Sequence, residues 1–560
     1  MNSAQASLSR HQSRLLLAYF CLFPWLYWPG THEIYALRES VFFGLTGLFI
    51  LSSALSKYRL PINTNPIDIS LILIFIIRVI SWITFGLQTN FEQALLGIHS
   101  LMFELSILLF YLQIRRLRLS DHFNNTLASY FIGSCLLICL LSPFAAPISA
   151  NAEQGRWQAL FFHPNFLGIF SVIMLALAPK IKLHWQLSGI ALVLMSGSRV
   201  ALGLLLILMI LRLNFKAVFS ISVIGILLLG WRASHHPVES FRLTGTEAIE
   251  MRSEIYQGTL KTIRDNPLGT GPGIFGPKVH EHLGMRFHEL FPDPHKHSIY
   301  KAHNSFLEWS AESGILITLL LICLIFLITK IPSNNSKTAL SLLFLGSMVS
   351  VVLNYPSGLI LATFLIASTI QKSLPKGKEL IGLESERKSE LTSLLVRFLS
   401  PAILGSVFIA YSFVVMQAHN SLPKVIKSLE KGMIDLAYLE LEKHKSNPCL
   451  ELEKLYYQFR ITQLLANNDQ ITNFFRENFA AWVDVSYQLS LMHLQQGQTN
   501  LALKHVERSI DFHPLWPKNY HLKALILKRL GHHSRSQKAK QTALKLETYK
   551  INFRENVYSN

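Results

Sequence analysis

Apolar residues run along this chain in blocks close to the ~20 residues that carry a helix across a bilayer. The blocks lie at 15–29, 37–56, 68–87, 95–113, 126–147, 158–178, 183–197, 199–213, 216–231, 305–329, 338–354, 357–370 and 395–417. Each predicts a helical crossing. The runs within 183–213 and 338–370 fall short of a full crossing, so the expected number is about twelve to fourteen. The first block carries Phe23, Trp25, Tyr27 and Trp28 and has no small-residue cleavage site behind it, so it is expected to stay as the first helix. Two stretches break the pattern: a long polar loop at 232–304, and everything after 421, where an amphipathic helical periodicity replaces the apolar blocks.

Composition agrees with that pattern. Half of the 560 residues are apolar and 15% are charged, against about 25% charged in soluble domains, which excludes an ordinary cytosolic enzyme. The net charge of +18 would suggest nucleic acid in a soluble protein; here it is read against topology, and no nucleic-acid partner is expected. Arg10 and Arg14, Lys57 and Arg59, the Arg115, Arg116 and Arg118 group, Lys180 and Lys182, Arg212 and Lys216, Lys330 and Lys337, and the segment 371–394 alternate with the blocks so as to share one side. Because Lys and Arg are retained on the cytoplasmic side of short loops, the N-terminus is expected in the cytoplasm. Loop 232–304 and the C-terminal region are then expected on the outer, periplasmic, face. Arg156 and Arg199 fall at outward helix ends, where they either recruit an anion or snorkel to headgroups. Arg78 and Glu104, deeper in apolar blocks, are expected to pair. Cys21, Cys135, Cys139 and Cys323 lie in apolar runs and Cys449 stands apart, so no disulfide or metal framework follows.

The C-terminal third contains a repeat. Gly497 and Gly531 are 34 residues apart, as are Leu491 and Leu525, Ala502 and Ser536, and Ser509 and Ala543. Pro514 closes the unit, and a looser one runs from Gly432 to Pro448. This resembles the tetratricopeptide repeat, which implies three or four stacked helical hairpins over 421–548 with a concave face for a peptide or partner. The expected organisation is a transmembrane bundle at 1–231, a periplasmic loop carrying catalytic motifs at 232–304, further transmembrane helices at 305–420, and a tetratricopeptide-like domain at 421–560. The fold class is all-α.

Polar chemistry gathers on the outward side in four segments. These are GRWQALFFHPNFLG with Arg156, His163, Pro164, Asn165 and Gly168, and MSGSRVALG with Ser196, Ser198 and Arg199. MRSEIYQGTLKTIRDNPLGTGPGIFG follows, with Arg252, Glu254, Tyr256, Pro267, Gly269, Gly271, Gly273 and Phe275, and then KAHNSFLEWSAESGI with His303, Asn304, Glu308, Glu312 and Gly314. In this order they resemble the O-antigen ligase superfamily, which groups lipopolysaccharide O-antigen ligases, Wzy-type polymerases and PglL-type protein O-oligosaccharyltransferases. The resemblance covers 150–325 in detail.

The resemblance implies a membrane enzyme that moves a glycan from a polyprenyl-pyrophosphate carrier to an acceptor hydroxyl with inversion. No cofactor and no obligatory metal are implied, the lipid-linked glycan being a substrate. Guanidiniums suit phosphate oxygens, and the family assigns that clamp to Arg199 and Arg252, with Arg156 as a third member. His303 is carried over as general base or as a hydrogen-bonding orienter of the acceptor. Asn304, Glu308 and Asn165 support the site: Asn165 as a helix cap, Glu308 with Glu312 either holding the His303 imidazole or forming a polar lining. Gly269, Gly271 and Gly273 are expected to build a tight turn, since no strand precedes them as in a phosphate-binding loop. The histidines at 280, 282, 288, 295, 297 and 303 raise zinc, but no metal is expected, because the loop has neither a cysteine nor a His-Glu-x-x-His.

The acceptor is expected to be a Ser or Thr of a secreted protein such as a pilin, because the outward repeat domain suits a protein partner and GTHEIYALRESVFFG resembles the N-terminal region of PglL-type enzymes. The alternatives are a growing glycan, as for the polymerase, or lipid A core, as for the ligase. A reading from another class is a non-catalytic transporter or scaffold for the lipid-linked glycan. It lacks the internal inverted symmetry common in transporters.

Overall fold

The structure is a computed structural model. It describes residues 3–26, 36–55, 65–88, 97–115, 119–141, 164–212, 246–291, 301–350, 352–354, 356–373, 400–443, 456–461, 479–482 and 484–559, with a few single positions between them.

All regular elements among the described residues are helical, as expected. In the first part of the chain they are α1 (Ser3–Leu22), α2 (Ala36–Leu55), α3 (Pro66–Gln88), α4 (Ile98–Ile114), α5 (Asp121–Leu141), α6 (Pro164–Leu177), α7 (Leu183–Ser196) and α8 (Arg199–Leu211). The middle carries α9 (Thr246–Asp265), α10 (Phe275–Val279), α11 (Met285–Leu290), α12 (Ser305–Ser313), α13 (Ile315–Lys330), α14 (Asn335–Ser347) and α15 (Pro356–Ser373). The last third contains α16 (Ser400–Glu430), α17 (Ile434–Glu442), α18 (Val485–Gln495), α19 (Thr499–Phe512), α20 (Pro517–Arg529) and α21 (His533–Ser559).

Among the described residues three helices are long and apolar enough to cross a membrane, at Pro66–Phe85, Asp121–Leu141 and Pro401–Glu430. Six shorter apolar helices, including α4, α7, α8 and α13, accompany them. The membrane character stands. The block at 216–231 lies outside the described residues. The block at 305–329 is not one crossing: Gly314, at φ 81°, splits it into α12 and α13.

The bundle is closed by small residues where backbones approach. On α2 a Cβ added to Gly47 would lie 2.5 Å from the Gly405 carbonyl oxygen of α16, and one added to Gly405 would meet Gly47 O at 2.8 Å. Helices in lipid associate through such contacts, since apolar burial alone favours neither partner. Around this pair, α6 packs on α7, α8 and α14, α13 on α3, and α15 on α4 and α14. Arg78 pairs with Glu104 as expected, its Nε donating to Glu104 Oε1 at 2.8 Å. It also reaches Glu312 Oε2 at 2.7 Å and Ser313 Oγ at 2.9 Å, which the sequence reading did not anticipate.

α16 runs through the boundary placed at 421 and carries Pro423 inside it, so the last apolar block and the first helix of the C-terminal region form one rod. Beyond it, α18–α19 and α20–α21 form two hairpins whose geometry repeats. At the end of each first helix a left-handed Gly, Gly497 at φ 75° or Gly531 at φ 79°, reverses the chain. The next amide donates five residues back, Gln498 N to His493 O at 2.8 Å and His532 N to Leu527 O at 2.9 Å, which satisfies carbonyls left open at a helix C-terminus. Inside the hairpins the same cross-helix hydrogen bond recurs with its poles exchanged: Ser490 Oγ donates to Ala502 O in the first, and Ser536 Oγ to Ala524 O in the second.

Candidate functional site

The segment around Arg199 is a tight turn between two helices. Gly197 takes a left-handed φ of 57° and ends α7, while Ser198 Oγ caps α8 by accepting from Ala201 N at 3.2 Å. Ser196 Oγ accepts from Ser198 N at 3.2 Å, bracing the turn from inside. Arg199 is therefore the first residue of α8, exposed at the helix N-terminus, where the helix dipole favours anions. α6 presses on this turn: a Cβ on Gly168 would stand 2.5 Å from Ser196 Oγ and 2.6 Å from Ala201 Cβ. Asn165 lies in the first turn of α6, which begins at Pro164. Arg156 and His163 lie outside the described residues.

The second part of the site surrounds His303. Its φ of 55° makes it the only non-glycine residue in the left-handed region among the described residues, a conformation that costs on the order of 1–2 kcal/mol. Four contacts hold it. Asn304 caps α12, its Oδ1 accepting from Phe306 N at 3.0 Å and Leu307 N at 3.2 Å. Glu308 Oε2 accepts from Ala302 N at 2.8 Å. Lys301 Nζ reaches Glu308 Oε1 at 3.2 Å. From α9 the Tyr256 hydroxyl donates to the His303 carbonyl at 3.3 Å. Glu308 thus braces the backbone before His303, and Glu312 turns to Arg78; of the two alternatives for these carboxylates, among the described residues neither holds the imidazole.

Arg252 stands one turn before Tyr256 on α9, and its charge falls on His303. Burial pushes the His303 imidazole down to about 4, and Arg252 adds to the effect, so the ring is neutral at physiological pH. Burial likewise raises the Tyr256 phenol, while Arg252 opposes the rise. Among the described residues Arg252 Nε is buried without a hydrogen-bond partner, an unmet donor of the kind that a bound anion satisfies. The structure thus brings together Arg252, His303, Asn304 and Glu308. Arg199 and Asn165 form a second group, linked to the first through α14: α6 and α8 pack on it, and its Phe344 ring lies 6.1 Å from Phe306 of α12. The sequence reading gave Tyr256, Lys301 and the left-handed backbone no role. Of these only Tyr256 left a signal, its spacing of one helical turn from Arg252.

The glycine-rich segment is a turn, docked on the break between α12 and α13. Gly269, Gly271 and Gly273 all have positive φ. Gly271 N donates to Glu312 O and Gly273 N to Glu312 Oε1, each at 2.9 Å. Its amides serve this carboxylate and backbone.

Of the histidine-rich stretch, His280 and His288 are buried and meet His513 of the C-terminal region, with ring centroids 6.3 and 5.7 Å from it. Among the described residues no group of three His, Cys, Asp or Glu side chains is arranged to hold a metal ion. The Phe479–Trp482 segment shares an apolar cluster with Phe85 of α3 and Ile274 of the glycine turn. The C-terminal region therefore packs on the glycine turn and on the histidine-bearing segment that follows it.

Residues 166–322 match the family model described as O-antigen ligase. The match agrees with the resemblance drawn from the sequence; it contains Arg199, Arg252 and His303 and begins just after Arg156 and Asn165. No curated protein and no solved structure matches the chain.

Proposed function

We propose, from the O-antigen ligase domain that this chain carries, that it is a membrane glycosyltransferase moving an oligosaccharide from a polyprenyl-pyrophosphate carrier to an acceptor hydroxyl at the periplasmic face of a bacterial inner membrane. The observation that carries the proposal is the pairing of a neutral, half-buried His303 with Arg252, whose Nε is buried without a partner among the described residues. In the proposed step the acceptor oxygen attacks the anomeric carbon from the face opposite the carrier, and its proton passes to the His303 imidazole. The bond between that carbon and the pyrophosphate oxygen breaks, and the carrier leaves with the electron pair. Arg252 and Arg199, with Arg156, stabilise the charge that accumulates there. Such stabilisation accelerates the reaction only if it is stronger in the transition state than with bound substrate.

For the acceptor, the proposal is a Ser or Thr of a secreted protein. What supports it is the pair of helical hairpins, the first of which shares an apolar cluster through α18 with Phe85 and with Ile274 of the glycine turn; repeated hairpins of this kind suit a polypeptide partner. The experiment offers the full-length protein in lipid a polyprenyl-pyrophosphate oligosaccharide with either a pilin-like protein or lipid A core, and reads the mass of each acceptor. A glycan-sized increment on the protein, absent from His303→Ala, supports protein transfer. An increment on lipid A core alone would make the enzyme a ligase, and longer glycans on the carrier alone a polymerase. No product with any acceptor would return the chain to the transporter or scaffold class.

A further inference from the structure

The left-handed backbone at His303 requires an explanation. A residue with a Cβ adopts that region only when its surroundings over-determine it, and functional groups are where such strain is commonly retained. Here the surroundings are specific. On the N-terminal side the Glu308 carboxylate fixes the Ala302 amide, and on the C-terminal side Asn304 commits its side chain to the first turn of α12. The peptide carbonyl of His303 itself, lying between those two fixed points, is met by Tyr256. Rotating His303 back to a right-handed conformation would turn that carbonyl away from the hydroxyl.

Tyr256 is suited to this task by its place in the chain. It follows Arg252 by four residues on α9 and so projects from the same face of the helix. One helix face thereby presents a cation beside the imidazole and a hydrogen-bond donor to the imidazole's own backbone. The phenol is half-buried, and the hydroxyl is the one polar atom of its side chain.

We propose that Tyr256 is a positioning residue for the transfer reaction: its hydroxyl holds the His303 peptide left-handed and so aims the imidazole at the space in front of Arg252. It acts through His303 and does not touch substrate. This inference rests on the glycosyl-transfer reading, and its test separates the two. Full-length protein in lipid is assayed with the polyprenyl-pyrophosphate oligosaccharide for kcat, for KM of the donor and for the dependence of rate on pH. A mis-aimed catalytic group costs about tenfold to a hundredfold in rate. Tyr256→Phe is expected to lower kcat by that factor, leave the donor KM within about twofold, keep the thermal melting point of the parent protein and move the acid limb of the pH–rate profile. Tyr256→Gln, with a donor on a shorter side chain, is expected to recover part of kcat. An unchanged kcat in Tyr256→Phe would overturn the inference, as would a loss that follows melting temperature in both variants. Full activity in His303→Ala would instead overturn the glycosyl-transfer reading and leave the backbone contact as a fold feature.

Discussion

Arg78 Nη1 donates to Glu312 Oε2 at 2.7 Å, tying the middle of α3 to the last turn of α12. The same guanidinium holds Glu104 and Ser313, and Glu312 passes the connection on to the amide of Gly273. A buried arginine between two carboxylates is stable only as a set. Removing it strands two anions, a loss of about 3–5 kcal/mol for a buried pair. Arg78→Met is therefore expected to lower the melting temperature of the detergent-solubilised protein sharply. Glu312→Gln, which keeps one of the two acceptor oxygens and leaves the guanidinium its bonds to Glu104 and Ser313, is expected to cost less. Equal melting points for the two variants would show that the network carries no such load.

Gly314 and Gly269 lock the glycine turn onto α12. A Cβ on Gly314 would meet the Pro267 carbonyl oxygen at 2.4 Å and one on Gly269 the Glu312 carbonyl oxygen at 2.4 Å, both backbone atoms. Gly273 has a similar φ of 77° but nothing within 4 Å of its Cβ position. Gly273→Ala is expected to cost only the left-handed penalty of about 1–2 kcal/mol. Gly314→Ala must also push the turn away from α12, beside the residues that aim His303, and is expected to lose transfer activity as well as stability. Melting curves and transfer rates on the two variants check the difference; a Gly273→Ala protein as impaired as Gly314→Ala would refute it.

Which of these features the sequence disclosed follows from the range of the interaction. Periodicity disclosed α3, α5 and the apolar part of α16, because a lipid-facing helix must be apolar over a whole crossing. The 34-residue spacing of Gly497 and Gly531 disclosed the hairpins, since a left-handed position that selects glycine recurs with the fold. The split at Gly314 was hidden, because a glycine inside an apolar run reads as a tolerated interruption until Pro267 is known to lie against it. The partners of Glu308 and Glu312 were hidden for the same reason. One-face spacing placed the two carboxylates together, while Lys301 and Arg78, which take them, come from the preceding loop and from a helix 234 residues earlier than Glu312.

The three buried histidines give the contact between loop and C-terminal region a dependence on pH. Burial, the larger cause, brings His280 down to about 3, His288 to about 4 and His513 to about 3, the repulsion between their charged forms contributing at His280 and His513. The carboxylate of Asp484 and a backbone hydrogen bond to Ala481 act on His513 in the opposite direction. All three values lie below the ~6.5 of an exposed histidine, so the packed state binds fewer protons than the separated one. The contact is at full strength above about pH 6.5 and weakens progressively as pH falls toward 4. Amide exchange across 275–290 and 499–529 is expected to speed up between pH 7 and pH 5 beyond its chemical dependence, and His513→Gln is expected to flatten that response. Exchange that tracks chemistry alone in the parent protein would remove the histidines from this role.

His303 leads to the opposite expectation for the rate. A base that burial and Arg252 hold at about 4 is already deprotonated throughout the range from pH 5 to 8, so kcat/KM, which reports the free enzyme, is expected to be flat on the acid side until pH approaches 4. Bound pyrophosphate places negative charge near the ring and opposes the effect of Arg252, so the acid limb of kcat, which reports the complex, is expected at higher pH than that of kcat/KM. Replacing Arg252 by Gln removes the cation that lowers His303 and one guanidinium of the clamp together. It is expected to move the acid limb of kcat/KM upward and to reduce the rate by about two to three powers of ten, as for the loss of one transition-state donor. An acid limb of kcat/KM near 6.5 in the parent protein would mean that His303 is solvated in the working enzyme, and that some other group receives the proton of the acceptor.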